Sequence, residues 1–278
     1  MWLPAASRFL ADKAGFGMTR VVACVGELWR QSSLCEAAIT ERRPTNQTAN
    51  HLARTISWMS PQPLLLGHRG ARASKAVPEN TFASFDLALK HGCDGFEFDV
   101  RLAACGTSVV CHDPKVGKIV IAKAQAKELP QLPRLEDVLR RYRQKAFLNI
   151  ELKVTGLESK VFKLLDENPP TRGCVISSFT PGVVLDLKAR NSPIGCGIIC
   201  ETAAQLARGR QLPADYVIPY QSLVKKALVQ GVHSAGRKIL VWTVNSKKEM
   251  LRLTDLGVDG IISDNTELLV STLRSGIL

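Results

Sequence analysis

The sequence contains few aromatic residues and no dense run of basic ones. Phenylalanine, tryptophan and tyrosine make up 6% of its 278 residues. The net charge is +12, which brings nucleic acids, anionic membrane surfaces and anionic small molecules into consideration as partners. However, the basic residues are scattered or paired on segments predicted to be helical, such as Arg140-Arg141 and Lys247-Lys248. Single-strand binding uses basic residues interleaved with aromatic ones, so we predict no nucleic-acid partner.

Paired cysteines and long apolar runs are also missing. The eight cysteines form no CxxC pair and no zinc-ligand spacing. This usage is typical of a reducing compartment, and we expect a cytoplasmic protein. No apolar run approaches the roughly 18 residues of a membrane-spanning helix. No transmembrane segment is therefore predicted, while peripheral membrane contact and the oligomeric state stay open.

The chain divides near Met59. Residues 1–58 mix apolar and arginine-containing segments with a polar tract, which predicts an N-terminal extension that is disordered or partly helical. Residues 59–278 alternate strand-like and helix-like segments with short connections. The predicted strands are 64–68, 95–100, 147–153, 174–179, 194–200, 216–219, 239–244 and 260–263. The predicted helices are 81–91, 135–142, 157–168, 180–190, 203–210, 222–235, 246–256 and 266–274.

Eight strands, each followed by a helix, predict an α/β fold of the (β/α)₈ or TIM-barrel class. The strands are apolar and rich in β-branched residues, as expected of a parallel sheet that is buried on both faces. A doubly wound open sheet is the alternative. It is less favoured because no GxGxxG motif follows the first strand.

Two carboxylates lie on one predicted strand. Glu97 and Asp99 are two residues apart, so they share a strand face, while Phe96 and Phe98 lie on the other. Like charges this close repel in a low-dielectric setting unless a cation lies between them. Oxygen ligands alone favour Mg²⁺ or Ca²⁺ over Zn²⁺. The alternative is a half-buried strand with an exposed acidic face.

Further polar residues lie at the ends of other predicted strands. In a (β/α)₈ barrel, the C-terminal ends of the strands face the active site. The polar groups at these positions are His68-Arg69, Glu97 and Asp99, His112-Asp113 after a short hairpin, Glu151 and Lys153, Trp242 and Asn245, and Ser263-Asp264. Their convergence at one end of one scaffold favours a single site over scattered surface residues.

The chemistry that these groups support is attack on a phosphodiester. We predict that Glu97, Asp99 and Glu151 hold one divalent cation. Arg69 and Lys153 suit the remaining phosphate charge. His68 and His112 suit acid and base roles because an imidazole titrates near neutral pH. Alone, a histidine at a strand end is more often a packing residue, and a tryptophan such as Trp242 is more often part of the core.

The same segments resemble the glycerophosphodiester phosphodiesterase family. In chain order they are Gly67–Gly70 (GHRG), Pro78–Thr81 (PENT), Glu97–Asp99 (EFD), His112-Asp113, Glu151–Lys153 (ELK) and Val241–Asn245 (VWTVN). The resemblance covers about Leu64 to the C-terminus. It implies a (β/α)₈ fold and hydrolysis of a glycerophosphodiester, dependent on a divalent metal, to sn-glycerol 3-phosphate and an alcohol.

The resemblance also implies a role for each site residue. His68 and His112 become the general acid and base, and the three carboxylates named above become the metal ligands. The implied substrate-binding residues are Arg69 and Lys153 at the phosphate, Glu79 as a nearby polar partner, and Trp242 as a wall for the glycerol or head group. Family members commonly continue after the His-Asp pair with Leu, Arg-Thr-Thr and Gly, whereas this chain has Pro114 to Lys118. That departure concerns the substrate range more than the activity.

Two alternative functions are weighed against this one. A lysophospholipase D or sphingomyelinase-D-like enzyme would need an apolar entrance for an acyl chain, and no apolar loop stands out in the sequence. A barrel that binds phosphodiesters without turnover would not need two histidines and three carboxylates together. The sequence does not indicate the head group or the choice between Mg²⁺ and Ca²⁺.

We predict that a protein starting at Met59 folds, binds metal and hydrolyses substrate like the full chain, because all eight strands and helices lie downstream of that residue. Melting temperature, turnover and liposome sedimentation of the two proteins test this. An insoluble shorter protein, or one several degrees less stable, would show that the extension belongs to the fold. Loss of liposome binding alone would make residues 15–29 an amphipathic membrane tether.

Overall fold

Strands and helices alternate through the residues that the computed structural model describes, which are 62–190 and 193–274. The strands are β1 Leu64–His68, β2 Gly95–Leu102, β3 Ser108–Val110, β4 Lys115–Val116, β5 Ile119–Val120, β6 Phe147–Leu152, β7 Cys174–Ser178, β8 Gly195–Cys200, β9 Tyr216–Pro219, β10 Lys238–Val241 and β11 Gly260–Ser263. The helices are α1 Phe82–Lys90, α2 Leu135–Tyr142, α3 Glu158–Glu167, α4 Pro181–Ala189, α5 Ala203–Gly209, α6 Lys226–Ser234, α7 Lys247–Asp255 and α8 Thr266–Leu273. The predicted extension, residues 1–58, lies outside the described residues.

Eight of these strands form a closed parallel barrel. Their order around the barrel is β1-β11-β10-β9-β8-β7-β6-β2, and β1 also pairs with β2 to complete the circle. Each neighbouring pair is parallel, and β3 adds to β2 in the antiparallel direction. The TIM-barrel prediction is therefore confirmed, and the C-terminal strand ends meet at one face.

One predicted strand is shorter than expected. The apolar run 239–244 predicts six strand residues, whereas β10 ends at Val241. Beyond that point, the backbone amide of Gln221 donates to the Trp242 carbonyl, and the Gln221 side chain donates to the Thr243 carbonyl, both at 2.8 Å. The pairing continues past β10 as one isolated bridge between Tyr220 and Trp242, and at Thr243 the Gln221 side chain takes the place of a backbone partner. An apolar run does not reveal where the strand ladder ends.

The alternation along β2 separates the site from the surrounding core. Phe96 and Phe98 are fully buried against the helices, where the Phe85 ring of α1 stacks on Phe96 at 4.2 Å between centroids. Glu97 and Asp99 face the barrel interior because successive strand residues point to opposite faces. The apolar packing outside the barrel thereby fixes the direction of the two carboxylates inside it.

The connection from β2 to α2 carries extra structure. Residues 103–134 contain β3, the antiparallel β4–β5 pair and two short 3₁₀ turns. They have a small apolar cluster of their own, formed by Ala103, Val109, Ile121, Ala124 and Leu129. The Val110 amide donates to the Pro133 carbonyl at 2.8 Å and ties the start of this segment to its end. His112 lies within the segment, just after β3.

Four of the eight described helices begin at a side-chain cap. Thr81, Thr202, Ser246 and Asn265 each accept a hydrogen bond from the backbone amide three residues ahead, which satisfies a donor that the helix itself leaves free. The described helices are short, and none combines the length and apolar character that crossing a membrane requires.

We predict that Gly95→Ala destabilises the barrel. A Cβ at Gly95 would lie 1.9 Å from the Phe147 carbonyl oxygen on the neighbouring strand, so the two strands would have to move apart. Such overpacking costs about 1–3 kcal/mol, or several degrees in melting temperature for a domain of this size. Gly182→Ala is the control because its Cβ would contact nothing within 4 Å. Equal melting temperatures for the two variants would contradict the tight pairing of β2 and β6.

Candidate active site

Three buried carboxylates form the centre of the site. Glu97 and Asp99 come from β2 and Glu151 from β6, and the pairing register places Asp99 directly beside Glu151. One oxygen from each lies within 4.8 Å of the others. The side chains are almost wholly buried. The structure thus brings together the three predicted metal ligands.

Burial and mutual repulsion disfavour three negative charges here. Burial, followed by the charges of Asp99 and Glu151, raises the pKa of Glu97 well above its usual value. Burial and the Asp99 charge likewise raise the pKa of Glu151 to about 7, although Lys153 opposes the shift. A cation among the carboxylates would relieve both effects.

The unpaired oxygens match a metal site. Within the described residues, Glu97 Oε1 and Asp99 Oδ1 are buried and lack a hydrogen-bond partner. Buried polar atoms are nearly always satisfied, so each such exception needs an explanation. An oxygen-only donor set that converges within 4.8 Å fits a hard divalent cation such as Mg²⁺ or Ca²⁺.

Two cationic side chains border the carboxylates. Lys153 Nζ lies 2.6 Å from Glu151 Oε1 and 3.3 Å from Asp99 Oδ1. Arg69 Nε lies 3.3 Å from Asp99 Oδ2, and the Arg69 backbone amide donates to Glu97 Oε2 at 2.9 Å. Burial tends to lower the pKa of both cations, but the neighbouring carboxylates outweigh it and raise both. Both therefore stay charged.

Glu79 and Asn80 support this inner group from the loop before α1. Glu79 accepts hydrogen bonds from Arg69 at 2.8 Å and from Arg72 at 2.7 Å. Asn80 donates to Asp99 Oδ2 at 2.8 Å. Glu79 lines a neighbouring groove and not the cavity that contains His68. In the described structure, Glu79 therefore contacts Arg69 and Arg72.

His68 is held by a residue from the last strand. Its Nδ1 lies 2.7 Å from Asp264 Oδ1, and its Nε2 lies 3.8 Å from Glu97 Oε2. Burial would raise the pKa of Asp264, but hydrogen bonds from His68 and Asn245 and the charge of Arg72 lower it overall. Asp264 stood among the polar strand ends in the sequence, yet its partnership with His68 was not predicted. The adjacent pairing of β1 and β11 creates it.

His112 lies just after the β2–β3 hairpin. Its Nδ1 lies 2.8 Å from Asp113 Oδ1, and its carbonyl accepts a 2.8 Å hydrogen bond from Arg101 Nε. Burial lowers the pKa of His112, while the hydrogen bond to Asp113 opposes that change. The imidazole is therefore largely neutral near pH 7.

These groups line one cavity of about 310 Å³ at the C-terminal strand ends. It is lined by His68, Arg69, Glu97, His112, Asn149, Glu151, Lys153, Phe179, Ile199, Glu201, Ile218, Trp242 and Ile262. Of the sequence-predicted site residues, the cavity includes all except Glu79 and the deeply buried Asp99. The sequence interpretation missed Phe179 and Glu201, each of which directly follows a predicted or observed strand.

A larger cavity of about 720 Å³ lies at the opposite face. Its lining includes Phe147, Cys174, Gly195, Tyr216 and Lys238, the first residues of five successive strands. This is the N-terminal face of the barrel, which in such folds serves stability. The convergent acids, bases and cations instead identify the smaller cavity as the candidate active site.

We predict that Asp113→Asn lowers the pKa of His112 further, because it removes the anion that stabilises the protonated imidazole. Histidine titration by NMR in the metal-free protein measures the shift. Asp166→Asn makes the same change in net charge at the opposite face and should leave the titration of His112 unaltered. A pKa of His112 that stays the same or rises in Asp113→Asn would show that the pair does not form in solution.

Comparisons with known proteins agree with this geometry. The model of the glycerophosphoryl diester phosphodiesterase family matches residues 68–168 and 120–268. A glycerophosphodiester phosphodiesterase from Caldanaerobacter subterraneus is 31% identical over 241 residues, covering 77% of this chain and 98% of that protein.

Solved structures give the same result. An Oleispira antarctica phosphodiesterase, described in complex with the product sn-glycerol 3-phosphate, is 27% identical with a TM-score of 0.67, covering 76% of this chain and 96% of the other. A glycerophosphodiester phosphodiesterase from Thermotoga maritima shares the fold at 24% identity and a TM-score of 0.65, covering 76% and 98%. On the extent of these matches, the chain belongs to the glycerophosphoryl diester phosphodiesterase family.

Proposed function

We propose that this enzyme hydrolyses glycerophosphodiesters to sn-glycerol 3-phosphate and an alcohol, with His68 and His112 as the acid and base. The observation that carries the proposal is one cavity lined by both histidines, two cations, Glu97 and Glu151, with Asp99 buried against the same carboxylates. Such a set matches the needs of phosphodiester cleavage, which are charge neutralisation and two proton transfers.

Charge neutralisation falls to two sets of residues. Glu97, Asp99 and Glu151 would hold one divalent cation, Mg²⁺ or Ca²⁺, which when bound supplies Lewis-acid stabilisation of a phosphate oxygen. Arg69 and Lys153 would bind the other phosphate oxygens. Glu79 would contribute to substrate binding through the orientation of Arg69, with which it shares a 2.8 Å hydrogen bond.

The two histidines differ in their surroundings, and this difference supports a separate role for each. His112 is the candidate base because burial lowers its pKa and keeps the ring neutral. It would take a proton from the attacking water as the new P–O bond forms. His68 is the candidate acid because Asp264 fixes its Nδ1 at 2.7 Å and leaves Nε2 toward the cavity. It would give a proton to the departing alcohol oxygen.

The structure offers less support for a lysophospholipase-D-like or sphingomyelinase-D-like activity. Within the described residues, the exposed large apolar side chains are Ile119, Leu185 and Leu251, and none of them lines the cavity. No large exposed apolar side chain among the described residues therefore extends the isoleucine-lined part of the cavity toward solvent for an acyl chain. A small water-soluble diester fits the 310 Å³ cavity better.

The test is release of sn-glycerol 3-phosphate from glycerophosphocholine, with and without EDTA. We predict that EDTA abolishes release, that Mg²⁺ or Ca²⁺ restores it, and that Glu97→Gln lowers turnover roughly a hundredfold or more at limiting metal. Glu167→Gln, on the exposed end of α3, is the control for charge. Near-full turnover of Glu97→Gln at limiting metal would refute the ligand assignment, and absence of turnover in the unmodified protein would refute the proposed activity.

A further inference from the structure

The cavity has two chemically different halves. One half holds the cations and the carboxylate cluster, where Arg69 and Lys153 face Glu97 and Glu151. The other half is lined by three isoleucines, two aromatic rings and one carboxylate: Ile199, Ile218, Ile262, Phe179, Trp242 and Glu201. A phosphodiester has two ester arms, so a substrate whose phosphate lies in the first half directs one arm toward the second.

Glu201 is the unusual member of the second half. It directly follows β8, and its backbone amide donates to Gln205 Oε1 at 2.8 Å. Its carboxylate forms no ion pair with any cation in residues 62–190 and 193–274, whereas Glu151 in the other half pairs with Lys153 at 2.6 Å. A free carboxylate beside an apolar wall is suited to attract a cation from the ligand.

Trp242 presents a fixed ring to the same cavity. Its Nε1 donates to the Ile218 carbonyl at 3.1 Å, and its ring packs edge to face with Phe179 at 5.5 Å and Tyr220 at 5.6 Å. Phe179 already has Lys153 Nζ at 5.8 Å from its ring centroid. Of the two rings in the cavity, Trp242 is the one with no protein cation over it among the described residues, and tryptophan is the side chain that binds cations best through its face.

We propose that Glu201 and Trp242 form a head-group subsite for a positively charged ammonium, so that the enzyme favours glycerophosphodiesters with choline or ethanolamine as the alcohol. This inference rests on the proposed function. A zwitterionic substrate matches both halves of the cavity, with its phosphate at Arg69 and Lys153 and its ammonium at Glu201. A neutral head group such as inositol gains nothing from the free carboxylate.

Glu201→Gln tests the subsite because it keeps the shape and removes the charge. The Glu201 side chain takes no part in the cap of α5, which Thr202 and Gln205 form, so the fold is unaffected. We expect kcat/KM for glycerophosphocholine to fall roughly fivefold in Glu201→Gln, chiefly through KM, as for a partly exposed charge contact. The value for glycerophosphoinositol should stay constant, as should both values in the control Glu167→Gln.

Two outcomes would overturn the proposal. An unchanged ratio between the two substrates in Glu201→Gln would show that the carboxylate does not contact the head group. An equal loss for both substrates would place Glu201 at the glycerol arm, which they share.

A binding measurement separates this inference from the proposed activity. Calorimetric titration of His112→Ala with glycerophosphocholine and glycerophosphoinositol, with and without Glu201→Gln, compares head groups without turnover. Weaker binding of the choline ester alone supports the subsite even if the unmodified protein hydrolyses neither compound. Equal effects on both esters, or none on either, refute the subsite even if hydrolysis is confirmed.

Discussion

Repulsion among Glu97, Asp99 and Glu151 is the constraint on which the rest of the site depends. Three carboxylates with converging oxygens would separate or protonate in a flexible segment. Here β2 and β6 hold them in adjacent register, and the aromatic packing outside the barrel fixes their direction. Positive charge is consequently stabilised at the site. Lys153 and Arg69 supply part of that positive charge, while two buried oxygens, Glu97 Oε1 and Asp99 Oδ1, accept no hydrogen bond from the described residues.

Hydrogen bonds from supporting residues fix the orientation of the side chains at the centre of the site. Asp264 fixes His68, Glu79 fixes Arg69, and Asn80 fixes Asp99, each through a hydrogen bond of 2.7–2.8 Å. These supporting groups come from the loop before α1 and from the end of β11, which flank β1 on both sides. Side chains held in this way lose little entropy when a ligand arrives, so their binding energy is available for the ligand itself.

The sequence predicted the barrel because apolar, β-branched strand segments and helical segments alternate throughout residues 64–274. It also predicted the carboxylate cluster, since Glu97 and Asp99 share a strand face and Glu151 repeats the pattern on the next barrel strand. The sequence did not predict the hydrogen bond between His68 and Asp264, because the two residues are 196 positions apart and meet only when the barrel closes. Glu201 was missed for another reason. A lone acid after a strand has the same pattern as a solvated loop residue, and only the surrounding cavity distinguishes the two.

The two histidines are held by different parts of the structure, and only His112 lies in the hairpin segment 103–134. His68 ends a barrel strand that is paired on both sides, so it moves only if the barrel itself opens. His112 belongs to a segment with its own small apolar cluster, joined to the barrel through the short β2–β3 pairing. Such a unit opens locally at a lower free energy than the whole domain. Amide hydrogens of the hairpin segment are therefore expected to exchange with solvent faster than those of the barrel strands.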